Sequence, residues 1–473
     1  MACLVAVLVF ADVARATNDS AAEASGVEPA PAAPEATVAA ERARPDFIRN
    51  RAYLPEFLLK DKKEGWYVTG FPAIGWDDEE GFVLGAMAEV YDNGSRDDAF
   101  FRSTSYRKRI SIAATSTTEG VQDYGVALDA PYLDDSPYRL RTRVYYGQNP
   151  LNNYFGRGDE AMGLLRFPGS EKGYVDYDEY EAATRVAVDG ETYARYAQFL
   201  TRELGGIVMV ERDLAGGLVR PLIGLRVWHS DILDYTGQKV DAIDSSGQKV
   251  EAIERPTRIR EDHDAGRLTG FDGGFDNYVK LGISVDTRDF EPDPNEGILG
   301  QLTAELATKA LGSDFDYQRV TTSLAGFHDL APCGERVVLA GRALYSMQFG
   351  EVPFFADNTL AFNTFDITGL GGGRTLRGFK RDRFVGDSGA LLDGEVRWSL
   401  TEFEKWDQHF RPMLAGFVDT GRVFDGVGFS LRKWRVGYGV GFRFAWNLAT
   451  VVSFDYGRSE ESDILYMAFG HQF

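Results

Sequence analysis

From Trp66 onward, apolar and polar residues alternate with a period of two in segments of about ten residues. The clearest segment is 434–446, WRVGYGVGFRFAW. Trp434, Val436, Tyr438, Val440, Phe442, Phe444 and Trp446 share one face, and Arg435, Gly437, Gly439, Gly441, Arg443 and Ala445 share the other. One face is large and wholly apolar, and the other is small or cationic. A strand of that length, tilted by about 45°, rises roughly 29 Å, and its two Trp residues fall near two membrane interfaces. In 139–146, Leu140, Thr142 and Val144 oppose Arg139, Arg141 and Arg143. In 279–286, Val279, Leu281, Ile283 and Val285 oppose Lys280, Gly282, Ser284 and Asp286. In 392–400, Leu392, Val396, Trp398 and Leu400 oppose Asp393, Glu395 and Arg397. A soluble sandwich also alternates, but its outward face is the polar one.

Sixteen such segments are predicted: 66–75, 81–91, 105–117, 121–131, 138–148, 191–211, 216–231, 276–288, 297–309, 315–329, 336–348, 390–400, 409–420, 433–445, 449–458 and 464–473. An even number returns both ends of the chain to one side. The longest connections, 149–190, 232–275 and 349–389, follow odd-numbered segments and fall together on the opposite side. The pattern predicts an all-β fold, a 16-stranded antiparallel transmembrane β-barrel over 66–473, with long loops outside and short turns below. The second long connection repeats itself, GQKVDAI at 237–243 and GQKVEAI at 247–253, and reads as a slippage insertion, not a solenoid, for which a small surface hairpin is one form.

Composition narrows the class. Hydrophobic residues are 44% and charged residues 26%, which excludes a polytopic helical membrane protein. The 52 glycines and 13% aromatics suit strands and turns. A net charge of −21 argues against a nucleic-acid partner. Two cysteines, Cys3 and Cys333, exclude a disulfide framework and a Cys-ligated zinc site. Residues 2–11 are apolar and Ala14-Arg15-Ala16 has small-x-small spacing, so 1–16 reads as an export signal, with a start that lacks basic residues. Residues 17–65, rich in Ala, Glu and Pro over 17–45, read as a mostly disordered periplasmic linker.

Residues 369–379, GLGGGRTLRGF, and 384–400, FVGDSGALLDGEVRWSL, resemble the BamA-like bacterial surface antigen superfamily of outer-membrane assembly proteins. The resemblance implies a sixth surface loop folded into the lumen with Leu376, Arg377, Gly378 and Phe379 at its tip. It implies that Arg377 pairs with Glu395, in a Glu-x-Arg context with Arg397, and with Asp419, in Phe417-x-Asp419-x-Gly421. The segments Asp286–Asp289 and Asn153–Gly158 also resemble the family. The last segment ends on Phe473, with Phe469 on the same face, and resembles the C-terminal recognition signal of outer-membrane barrels. The family's assembly members carry periplasmic docking domains, and the residues before Trp66 are too few for one. The implied setting is the bacterial outer membrane. Outer-membrane lipid, the barrel assembly machinery and a protein or lipid client are the implied partners, and the barrel is expected to be monomeric.

Candidate chemistry is sparse. Gly386-Asp387-Ser388-Gly389 echoes a serine-protease nucleophile segment, but none of the five histidines has a matching context. No metal, phosphate or dinucleotide motif is present, so neither cofactor nor catalytic residue is expected. The acidic stretch 159–181 reads as a solvated loop, with lipid-bridging cations as the sharper alternative. Three functions remain: a barrel assisting protein or lipid insertion or translocation; a passive porin-like channel lined by Arg139, Arg141, Arg143, Arg435 and Arg443 against Glu395, Asp419 and Asp455; and, least favoured, an outer-membrane enzyme.

Overall fold

The computed structural model describes residues 44–51, 53–54, 59, 62–77, 81–330, 336–357, 369–406, 408–446 and 450–473. The export segment 1–16, the linker up to residue 43, and both cysteines lie outside the described residues.

Each alternating segment forms a strand. In chain order these are β1 (Trp66–Asp77), β2 (Gly81–Asp92), β3 (Lys108–Thr117), β4 (Gln122–Ala130), β5 (Tyr138–Asn153), β6 (Gln198–Arg212), β7 (Val219–Leu233) and β8 (Tyr278–Asp286). They continue as β9 (Gly297–Ala307), β10 (Tyr317–Asp329), β11 (Val337–Gly350), β12 (Ser388–Ser399), β13 (Gln408–Phe424), β14 (Arg435–Trp446), β15 (Thr450–Arg458) and β16 (Asp463–Phe469). Every consecutive pair is antiparallel. Among the described residues the sheet holds eighteen strands, not the sixteen predicted. The two additions, Gly273–Phe275 on β7 and Phe403–Lys405 on β13, are three residues each. Both arise because β7 and β13 outrun their partners β8 and β12, and a passing loop satisfies the remaining backbone groups. Among the described residues β1 and β16 are not paired. The sheet nevertheless brings its two ends together: the Thr450 hydroxyl on β15 lies 3.1 Å from that of Thr69 on β1 and 3.2 Å from that of Tyr91 on β2.

Burial is inverted relative to a soluble fold. On β14, Val440 is 64% exposed while Arg443 is fully buried. On β8, Leu281, Ile283 and Val285 are exposed while Lys280, Ser284 and Asp286 are buried. On β12, Leu392, Val396 and Trp398 are exposed while Asp393, Glu395 and Arg397 are buried. An apolar outer face with a charged, satisfied inner one is the arrangement that a lipid solvent favours. No helix among the described residues is long and apolar enough to cross a membrane.

The three long connections, after β5, β7 and β11, lie together on one side. The first carries the helix α1 (Tyr177–Thr184), capped by Asp176, whose side chain accepts from the Glu179 amide, over a cluster of Leu165, Phe167, Tyr174, Tyr180 and Tyr196. In the second, the two repeat copies are the two arms of one hairpin, with Val240 opposite Ala252 and Ala242 opposite Val250.

On the other side the linker expectation needs correction. From Arg44 the described residues are packed, not extended in solvent. Ile48 is fully buried against Phe47, Phe100 and Tyr132. The Asn50 amide donates to Gly216 O at 2.9 Å and the Leu54 amide to Arg102 O at 2.8 Å. Buried Lys62 donates to Thr104 O at 2.6 Å. This stretch straps the β2–β3 loop to the β6–β7 turn. Short apolar clusters in a charged run carry no periodicity, and the partners that order them are distant in sequence.

Candidate functional site

The stretch 369–384 of the loop after β11 crosses the polar face of the sheet. Leu370 and Phe384 close it as an antiparallel bridge. The Thr375 hydroxyl accepts from the Gly371 amide at 3.1 Å and donates to Gly369 O at 2.7 Å. Leu376 and Phe379 are fully buried, packed in one cluster with Leu344, Leu391 and Val423 from the strands.

Between them, Arg377 is fully buried. Its Nε and Nη2 donate to the two Asp419 oxygens at 2.7 and 2.8 Å, a bidentate fork. Its Nη1 donates to Glu395 and to Asp455, both at 2.8 Å. Its amide adds a bond to Asp419 at 3.2 Å, and its guanidinium stacks 3.3 Å over the Phe417 ring centroid. Arg443 donates to both Glu395 oxygens at 2.6 and 2.9 Å and to Asp455 at 3.2 Å. Arg397 donates to Glu395 at 2.8 Å. Three guanidiniums therefore face three carboxylates out of water, and charge balance is what makes such a cluster sustainable.

Glycines set the approach. Gly378 has φ +91°, and a Cβ there would stand 2.6 Å from Arg458 C. Gly437 and Gly457 lie beneath the tip, and a Cβ on Gly457 would meet the Gly378 nitrogen at 2.8 Å. Gly437, on the small face of 434–446, and Gly457 on β15 thus let the loop backbone lie directly on the strands. The Tyr466 hydroxyl accepts from the Gly378 amide at 3.0 Å and donates to Phe379 O at 3.1 Å.

All four tip residues meet the sheet, and Arg377, Glu395 and Asp419 come together. Asp455 joins them as a third carboxylate, which the family motifs did not include, although it sits at an inward position of β15. A second buried arginine of the loop, Arg383, had no motif to mark it. It holds both Glu461 oxygens at 2.7 and 3.0 Å and Ala161 O at 2.7 Å. Arg157, in the Asn153–Gly158 segment, clamps the loop's ends by pairing with Asp357 at 2.6 Å and Asp387 at 2.9 Å.

The C-terminal expectation is corrected. The last strand ends at Phe469, whose side chain lies outside the described residues, though its backbone pairs with Val452. Gly470, at φ +81°, turns the chain off the strand. Phe473 is therefore not on a strand face with Phe469: its carbonyl accepts from Arg397 at 3.1 Å and its ring lies 6.2 Å from Phe327 and 5.0 Å from the Arg342 guanidinium. A positive-φ glycine three residues before Phe473 breaks the alternation that a continuous strand needs.

That inward turn extends the network. Arg443 Nη1 lies 2.7 Å from His471 Nδ1, and His471 Nε2 lies 2.8 Å from Asp293 Oδ1. A guanidinium only donates, so Nδ1 accepts, and the protonated Nε2 donates its N–H to Asp293 Oδ1. Asp293 also pairs with Arg411. In the same β8–β9 turn, Glu291 accepts from Arg51 at 3.2 Å, Arg139 at 3.1 Å and Arg220 at 3.0 Å. One short turn so links the Arg377 cluster to the N-terminal strap. Between strap and turn lies a cavity of about 380 Å³ lined by Arg51, Arg139 and Arg288 and by Asp286, Asp289 and Glu291, a balanced set of charges.

The protease-like segment is engaged otherwise. Asp387 accepts from the Gly426 amide at 2.8 Å and the Ser388 hydroxyl donates to Gly426 O at 2.8 Å, so both brace the β13–β14 turn.

The model of the Omp85 superfamily domain matches residues 108–472. The chain belongs to the Omp85 superfamily. Ahead of that match, a domain of unknown function (DUF5982) matches residues 45–107, the strap together with β1, β2 and the loop after them. Among solved structures, BamA from Haemophilus ducreyi lacking POTRA domains 1–3 is similar at 12% identity and a TM-score of 0.46, over 86% of this chain and 70% of that one. CdiB from Escherichia coli is similar at 10% identity and a TM-score of 0.44, over 85% of this chain and 61% of that one. No curated protein matches. As an Omp85 superfamily protein the chain is all-β and mostly antiparallel, and its loop residues fall within the matched domain.

Proposed function

We propose that the sheet closes into a sixteen-stranded barrel in the bacterial outer membrane, with the sixth surface loop folded into its lumen. In this reading the barrel assists insertion or translocation of a protein or lipid client and is not an enzyme. The observation that carries it is Arg377, buried on a surface loop and held by three carboxylates from β12, β13 and β15. A lumen of this strand number is too wide for wall side chains alone to fill, so an inward loop must bring its own polar partners. The inverted burial supports a lipid surround, and the long loops opposite the termini fit the outer surface. A monomeric barrel, made with the help of the assembly machinery, needs no further chain to complete this cluster.

Depletion of the protein followed by profiling of outer-membrane proteins and lipids tests the role. A client class falling in abundance supports it. An unchanged profile, together with a steady conductance in purified protein, favours the porin-like alternative.

A further inference from the structure

We propose that the surface turn 425–434, between β13 and β14, is a membrane anchor. It seats Phe429 and Leu431 in the bilayer leaflet on its side and holds anionic lipid phosphate with Arg432 and Lys433. The proposal rests on the barrel reading above.

The turn exposes Val427, Phe429 and Leu431, and Leu431 at 81% is more exposed than any other large apolar side chain described. They alternate with Gly428 and Ser430 and run on into the outward apolar face of β14, Val436, Tyr438 and Val440. Three apolar side chains so placed in water would be a liability. In a leaflet they are a continuation of the lipid-facing surface.

The direction of the turn is fixed by Tyr345. On β11 the outward positions are those of exposed Leu339 and Ala343, and Tyr345 follows in the same phase. Its hydroxyl donates to Gly428 O at 2.8 Å. The turn therefore leans over the outer rim of the wall rather than over the polar face. Beneath it, Arg422 is tied to Arg432 O and, at 2.5 Å, to Asp159. The turn is rigid at its root: Phe429 lies 6.3 Å from the Phe424 ring and 6.1 Å from the Trp434 ring, and Trp434 Nε1 donates to Ser430 O at 2.7 Å. Tyr and Trp at this height are the amphipathic pair that an interface favours.

Charge supplies the ligand. Arg432 and Lys433 are both exposed, and neither makes an ion pair among the described residues. The turn's one acid, Asp425, faces away from them, accepting from the Asp159 amide at 3.3 Å. Two cations directly beside a buried-in-lipid apolar pair sit at headgroup depth, where phosphate is the available anion.

The test uses the full chain in a cysteine-free background (Cys3→Ala, Cys333→Ala), carrying an environment-sensitive fluorophore at Leu431→Cys or, separately, at Val440→Cys. It is reconstituted in phosphatidylcholine vesicles containing a minor fraction of brominated phosphatidylglycerol. Both labels should be quenched, and the 431 label should prefer the anionic lipid. Adding Arg432→Ala and Lys433→Ala should weaken that preference by about fivefold per cation at 431 and leave 440 unchanged. A quenched 440 label with a 431 label emitting as in water overturns the anchor alone. Quenching at 431 without anionic preference overturns the phosphate site. An unquenched 440 label overturns the barrel reading beneath both.

Discussion

Arg377 shows how much one residue can hold. Removing it leaves Glu395, Asp419 and Asp455 facing Arg397 and Arg443 alone, one positive charge short, in a site closed to water. Arg377→Ala should lower unfolding free energy by about 3–5 kcal/mol, the range for breaking a buried pair. Arg377→Lys keeps the charge but cannot span both Asp419 oxygens, and should cost roughly 1.5–3 kcal/mol. Urea titration of refolded protein distinguishes the two. Gly378→Ala should also destabilise, because φ +91° disfavours a side chain and a Cβ would meet the Arg458 backbone. On the strap, burial lowers the Lys62 ammonium from 10.5 to about 7. Between those values the unfolded strap binds more protons than the packed one, so its stability rises with pH from about 7 upward and is level below. Hydrogen exchange of residues 44–54, corrected for intrinsic rate, should show the opening free energy rising across that window. Glu395 and Asp419 were legible through the resemblance to the family's motifs. His471 was not: no motif marks it, and it accepts from Arg443 and donates to Asp293.

The strands were legible because their period is local. In β14 each residue's face follows from its parity, and Gly437, Gly439 and Gly441 fall together on the side where the loop lies. The elements that escaped are those whose order comes from distant partners. The strap 44–64 carries short apolar clusters such as Phe47-Ile48 and Tyr53-Leu54 with no strand or helix period, and Ile48 is buried because Phe100 and Tyr132 reach it. The C-terminal turn needed Gly470 to be weighed against an otherwise continuous alternation. The β8–β9 turn looked like a family segment, yet its importance lies in reaching Arg51, Arg139 and Arg220 through Glu291 and His471 through Asp293. Glu291→Gln should loosen the strap more than the sheet. Amide protection over 44–54 should fall by about a hundredfold, matching roughly 3 kcal/mol of lost pairing, while protection in β12–β14 holds.

At the scale of the molecule, the sheet has two faces of opposite character. Its outer face is apolar and exposed; its inner face carries arginines and carboxylates that satisfy one another and hold a surface loop, a C-terminal turn and an N-terminal strap. In the barrel reading proposed above, those three pieces occupy the lumen that sixteen long strands would otherwise leave open. The central claim is that the Arg377 loop closes a lumen. Conductance of the purified protein in planar bilayers, compared with Arg377→Ala, tests it most directly. The account predicts low, intermittent conductance in the parent protein and a clear rise in Arg377→Ala. A steady conductance that Arg377→Ala leaves unchanged would contradict it.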